Sequence, residues 1–176
     1  MFIRSNFVTN SSTTSFVCFG SMYFGSDYTG FLARINELAK EYMPRYREEF
    51  AIEEDEPLMY EGELYLYHCA EFIGWVYQEL YALKYPEKVK YETSGDGTSY
   101  SYVEAPAEVA CDWRENSHNP WFAVTAFQSS ADWGPTPFNP DKTTKEQKVA
   151  IIKEFCELVG IQYIEPEWWM EGYGVR

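Results

Sequence analysis

The residue types that carry most catalytic and metal chemistry are sparse in this chain. Two histidines, His68 and His118, stand among 176 residues, which limits any imidazole-based triad or zinc site. His68 adjoins Cys69, but neighbours on a helix point about 100° apart, so adjacency makes no thiol-imidazole dyad. The cysteines Cys18, Cys69, Cys111 and Cys156 are widely spaced, with no C-x-x-C pair, and read as free buried thiols. Cys111-Asp112-Trp113-Arg114 sets a thiol near a cation able to lower its pKa. Glu104, Glu108, Asp112, Asp132, Glu165 and Glu167 offer carboxylates for acid/base or cation chemistry, yet no D-x-D, H-E-x-x-H or EF-hand spacing organises them. Gly95-Asp96-Gly97 lacks the lysine and serine of a phosphate loop and reads as a turn. These residues assign no catalytic group, metal site or cofactor, and a non-enzymatic role is expected.

Charge is the stronger signal. Asp and Glu number 28 against 14 Lys and Arg, a formal net charge of −14. Such a field repels phosphate backbones and anionic membranes, so it argues against direct binding of nucleic acid or a membrane surface and in favour of a protein partner with a basic surface. The same charge also serves solubility in a chain with 19% aromatic residues. Glu48, Glu49, Glu53, Glu54, Asp55 and Glu56 form an acidic cluster interleaved with Tyr46, Phe50 and Tyr60. Rings that anchor and carboxylates that steer are what an interface for a basic partner requires. An alternative is a small-molecule or nucleotide-binding module in which Trp133, Trp168 and Trp169 line a pocket and stack on a flat ligand.

The opening residues Met1-Phe2-Ile3-Arg4-Ser5-Asn6-Phe7-Val8-Thr9-Asn10-Ser11-Ser12-Thr13-Thr14-Ser15-Phe16 resemble an N-terminal signature, M-K-I-R-x-x-F-V-[ST]-N-S-S-S-S-S-F, shared by bacteriophage and bacterial proteins. Phe2 stands where that signature has lysine, and Thr13-Thr14 interrupts its serine run. The resemblance implies a phage or mobile-element origin. It makes a host defence or nucleic-acid-handling protein a plausible target, with this chain as its inhibitor. A cytoplasmic setting, in a bacterium or a phage-infected cell, is expected from the absence of a signal-peptide pattern and of a membrane-length apolar run.

The elements that must position these residues follow from periodicity. The length suits one domain over residues 1–176, and the pattern predicts an α+β fold, a mixed or antiparallel sheet packed with about three helices. Phe2–Val8 and Phe16–Gly20 read as strands around a polar loop. Ser26 or Asp27 is the expected cap of a helix carrying Phe31, Leu32, Ile35, Leu38, Ala39 and Tyr42, which Pro44 should end. Arg45–Glu63 should be a short helix passing into a loop. Leu66, Cys69, Ile73, Val76, Leu80 and Leu83 predict a central helix closed by Pro86, with Phe72 and Trp75 widening its apolar face. Val89, Tyr91 and Thr93 alternate into Ser94–Gly97 and Tyr100 and Tyr102 alternate out of it, a hairpin signature. Loop is expected up to Pro120, then a strand inside the sheet at Trp121–Phe127, and a proline-rich loop at Asp132–Pro140. The last helix has Thr143 with Glu146 as capping box, Val149, Ile152, Phe155, Cys156 and Val159 as apolar set, and Gly160 as terminator. Ile161–Ile164 is the expected final strand.

Overall fold

In the computed structural model, the described residues are 15–53, 58–60, 63–95, 97, 99–111, 120–131 and 143–172. The first strand, β1 (Ser15–Tyr23), leads into α1 (Gly25–Glu49). A two-residue ladder, β2 (Met59–Tyr60) with β3 (Glu63–Leu64), connects α1 to α2 (Leu66–Lys84). A 3-10 turn at Pro86–Lys88 precedes the hairpin β4 (Lys90–Thr93) and β5 (Ser99–Tyr102). Then come β6 (Glu108–Cys111), β7 (Phe122–Ala131), α3 (Lys145–Val159) and β8 (Glu167–Gly172). The main sheet is antiparallel in the order β6-β7-β1-β8, with β2-β3 and β4-β5 as separate two-stranded ladders. The fold is α+β, as the sequence predicts.

The core forms where one face of this sheet meets the helices. Tyr23 and Phe122 are cross-strand partners, and the Phe31 ring of α1 lies 4.9 Å from Tyr23 and 4.7 Å from Phe122. Tyr28 stacks on Phe122 at 5.0 Å. Tyr46 meets Trp75 across the α1–α2 contact, and Tyr77 meets Phe155 across the α2–α3 contact. Rings prefer these tilted and edge-on arrangements because of their quadrupoles, which adds about 0.5–1.5 kcal/mol per pair beyond burial. Ten aromatic side chains among the described residues are buried in this core.

One close approach shapes the sheet. The β1–β7 register shifts between Phe19, opposite Phe127, and Gly20, opposite Thr125, so Ala126 is the extra residue of a bulge. A Cβ on Gly20 would stand 2.1 Å from the Val124 carbonyl oxygen. Only glycine fits there.

Several boundaries depart from expectation for identifiable reasons. α1 has Phe24 at its N-cap with no side-chain cap, rather than Ser26 or Asp27. It continues through Pro44 to Glu49 because Met43 and Tyr46, on either side of that exposed proline, are both buried. Their burial outweighs the single hydrogen bond that proline forfeits. In α2, Phe72, Trp75, Tyr77 and Tyr81 are buried while Leu83, the last member of the expected aliphatic stripe, is 72% exposed. The capping box of α3 is Thr144 with Gln147, one residue beyond the expected Thr143 and Glu146. The Gln147 amide donates to Thr144 Oγ1 at 3.2 Å, and the Thr144 amide donates to Gln147 Oε1 at 2.7 Å. Strand β6 occupies part of the expected loop, and residues 161–166 are not a strand. That segment is tied to β1 by side chains instead, Ser21 Oγ donating to the Ile164 carbonyl and Tyr23 Oη to the Gln162 carbonyl. The expected strand Phe2–Val8 and loop Asp132–Pro140 lie outside the described residues.

Candidate functional site

The acidic cluster begins in the last turn of α1, where Glu48 and Glu49 are both exposed. Negative charge at a helix C-terminus opposes the macrodipole by about 0.3–1 kcal/mol per residue, so these glutamates are not there for helix stability. Glu49 has a local role nonetheless, because its Oε2 accepts from Trp75 Nε1 at 3.0 Å. Two cations of the same helix are also engaged. Arg45 pairs with Glu79 and lies 5.9 Å from the Trp75 ring centre, and Arg47 Nη1 donates to the Glu53 carbonyl at 2.7 Å. Glu53 is exposed. Glu54, Asp55 and Glu56 lie outside the described residues.

Beyond that point the chain is braced against the body. Leu58 and Leu64 are buried at 1% and 3% exposure, the Tyr65 amide donates to the Leu58 carbonyl at 3.1 Å, and the Leu64 amide donates to Asn36 Oδ1 at 2.9 Å. Between Glu53 and Glu63 the sequence holds Glu53, Glu54, Asp55, Glu56, Glu61 and Glu63 with no lysine or arginine. By contrast α1 itself carries Arg34, Lys40, Arg45 and Arg47 against five carboxylates. The excess charge therefore belongs to the connection between α1 and α2, and not to the helix.

The aromatic members of the cluster separate. Tyr46 is 4% exposed and sits among Phe50, Phe72 and Trp75, so the partner-contact role expected of its ring is corrected to a core role. Burial pushes its hydroxyl up to about 12. Phe50 is half-buried against Tyr46, and Tyr60 lies on β2 opposite Glu63.

The three tryptophans proposed for a common pocket are also divided. Trp168 and Trp169 are consecutive on β8, opposite Phe19 and Cys18 of β1, and consecutive strand residues face opposite sides of a sheet. Trp168 packs at 5.1 Å on Phe19, with Lys148 Nζ 5.6 Å from its ring centre, and remains 52% exposed. Trp169 is half-buried. The expectation that both line one pocket is corrected by this alternation. Trp133 lies outside the described residues.

The remaining chemical candidates are structural in placement. His68 is half-buried on α2, its amide donating to the Tyr65 carbonyl, and His118 lies outside the described residues. All four cysteines are buried thiols outside any disulfide. Cys111 ends β6, while Asp112 and Arg114 lie outside the described residues. No group of three or more histidine, cysteine or acidic residues among the described residues is arranged to hold a metal ion.

The β4–β5 hairpin presents a further surface that its sequence pattern marks only as a hairpin. On the face of the β4–β5 hairpin that holds Lys90, Glu92, Tyr100 and Tyr102, the Tyr100 and Tyr102 hydroxyls both donate to Glu92, at 2.9 and 2.6 Å. These donors hold the Glu92 carboxyl below its ordinary range, and the hydrogen bond to that carboxylate pushes Tyr102 up to about 12. Lys90 Nζ donates to Glu104 at 2.7 Å and lies 5.6 Å from the Tyr102 ring centre. On the other face Tyr91 is 81% exposed. The alternation of Lys-x-Glu against Tyr-x-Tyr was the available signal.

Compared with models of known families, with curated proteins and with solved structures, the chain matches none.

Proposed function

We propose that this chain is a non-enzymatic interaction protein that occupies a basic site on another protein. The observation that supports the reading is the concentration of six carboxylates in 53–63, a stretch with no lysine or arginine, on a connection braced by Leu58, Leu64 and Asn36. A field of that sign steers a cationic surface into encounter and competes with phosphate for the same lysines and arginines. Glu48 adds to the charge, Phe50 and Tyr60 are the remaining aromatic contacts, and Glu49 and Tyr46 serve the fold beneath.

The phage-like opening residues favour a host defence or nucleic-acid-handling protein as the target, inhibited by occupation of its phosphate-binding residues. Four cysteines held as thiols rather than disulfides suit a reducing compartment, in keeping with action in the cytoplasm. No helix among the described residues is long and apolar enough to cross a membrane.

The test is affinity capture from a bacterial host lysate at low salt with a salt-gradient elution, repeated with Glu48, Glu53, Glu54, Asp55 and Glu56 reversed to lysine. A stoichiometric basic partner that elutes with salt and is lost on reversal supports the reading. Retention that ignores both salt and charge reversal refutes it.

A further inference from the structure

The β4–β5 hairpin carries a surface independent of the acidic connection. All strand residues but Tyr102 are exposed, and Tyr102 is half-buried. Isolated two-stranded hairpins are marginal in water, yet this one devotes three of its eight strand residues to tyrosine. It is mounted firmly at its base, where Val103 and Ala107 enter the core at 7% exposure each. Tyrosine with serine and threonine on a fixed support is the composition of protein-recognition surfaces, because the ring supplies contact area at low entropic cost.

The arrangement on one face is more specific than the composition. Glu92 receives both tyrosine hydroxyls, which holds the two rings 6.2 Å apart. Glu104 stands at the base, and Lys90 shows how the face receives a cation: an ammonium group against the Tyr102 ring and a carboxylate together. Tyr100, farther out and 39% exposed, has the Glu92 carboxylate beside it. Carboxylate and ring face combine charge attraction with cation–π attraction. Between Lys90 and Glu104, Glu92, Asp96 and Glu104 outnumber the single Lys90, so charge complementarity selects a cationic occupant.

We infer that the Glu92–Tyr100–Tyr102 face of this hairpin is a docking site for a basic, extended segment of a partner protein, with an arginine or lysine side chain seated over Tyr100. The inference shares with the proposed function only the sign of the partner's charge.

The probe is a labelled peptide of alternating arginine and threonine, titrated into the full chain at low ionic strength by fluorescence anisotropy. Three variants accompany it: Glu92→Gln with Tyr100→Ala, Tyr91→Ala as a control on the opposite face, and charge reversal of Glu53, Glu54, Asp55 and Glu56 in the connection. Circular dichroism checks that each stays folded. Weakening by about tenfold or more in the hairpin variant, with the Tyr91 variant unchanged, supports the site. Selective shifts of the Tyr100 and Tyr102 ring signals in the wild-type chain, read by NMR with labelled tyrosine, support it as well. Unchanged affinity in the hairpin variant, equal weakening by Tyr91→Ala, or no binding by the wild-type chain overturns it. Loss of binding in the connection variant alone overturns the hairpin site and leaves the proposed function standing. Loss in the hairpin variant alone supports the hairpin site, and the proposed function still stands or falls by its own capture experiment.

Discussion

The Trp75 indole nitrogen donates to the Glu49 carboxylate across 3.0 Å, which joins a fully buried ring of α2 to the acidic end of α1. Trp75 is 0% exposed, so losing this acceptor leaves its N–H without compensation. Glu49→Ala is expected to cost about 1–2 kcal/mol, read as a lowered urea midpoint. Glu49→Gln, which keeps a carbonyl acceptor, should recover most of the loss. Equal losses would mean that the bond contributes little.

Two buried tyrosines differ in what their hydroxyls do. Tyr23 Oη donates to the Gln162 carbonyl at 3.1 Å and lies 3.3 Å from Cys156 Sγ. With its proton committed to Gln162, the thiol is the donor of the second bond. Tyr77 Oη makes no hydrogen bond of normal geometry among the described residues, although the Ala107 backbone stands nearby. Tyr23→Phe should therefore cost about 1 kcal/mol, while Tyr77→Phe should be neutral or slightly stabilising. Paired denaturant curves decide it, and a larger loss from Tyr77→Phe contradicts this account.

Two glycines are expected to respond with opposite sign. Gly20→Ala drives a Cβ into the Val124 carbonyl and the Thr125 Cα, and separating the central strands should cost about 3 kcal/mol or more. Gly74 lies in α2 with open space where a Cβ would go, so Gly74→Ala should stabilise by about 0.5–1 kcal/mol through helix propensity. Thermal midpoints that move in the same direction would count against the assigned environments.

Stability should fall on the alkaline side of neutrality. Burial pushes up the Cys69 and Cys156 thiols and the Tyr23, Tyr46 and Tyr77 hydroxyls. These acids stay protonated in the folded chain but ionise once it unfolds. Above the unfolded pKa the unfolded state binds fewer protons, so stability decreases as pH rises. The thiols begin this loss near pH ~8.5 and the phenols add to it near pH ~10. Urea midpoints taken across that range in a reductant should decline progressively, and a flat profile would show that these groups ionise as readily in the folded chain.

Local pattern was enough to read the α+β class, the three helices, the β4–β5 hairpin and the placement of β7 inside the sheet. Each rests on a period visible within one segment, as in Phe31, Ile35 and Leu38 or in Tyr100 and Tyr102. The charge excess between α1 and α2 was legible for the same reason, since counting carboxylates requires no fold. Whether a ring is core or surface was not legible. Tyr46 and Trp75 are buried because α1 and α2 meet there, whereas Tyr91 is exposed because no described element covers its hairpin face. Pro44 could not end α1, because buried neighbours on both sides outweighed one lost hydrogen bond. The separation of Trp168 from Trp169 followed only once pairing with β1 established β8 as a strand. Propensity, periodicity and net charge are local sums that a sequence carries by itself. Burial and convergence, such as two hydroxyls meeting on Glu92, depend on segments far apart in the chain, and tertiary packing alone decides them.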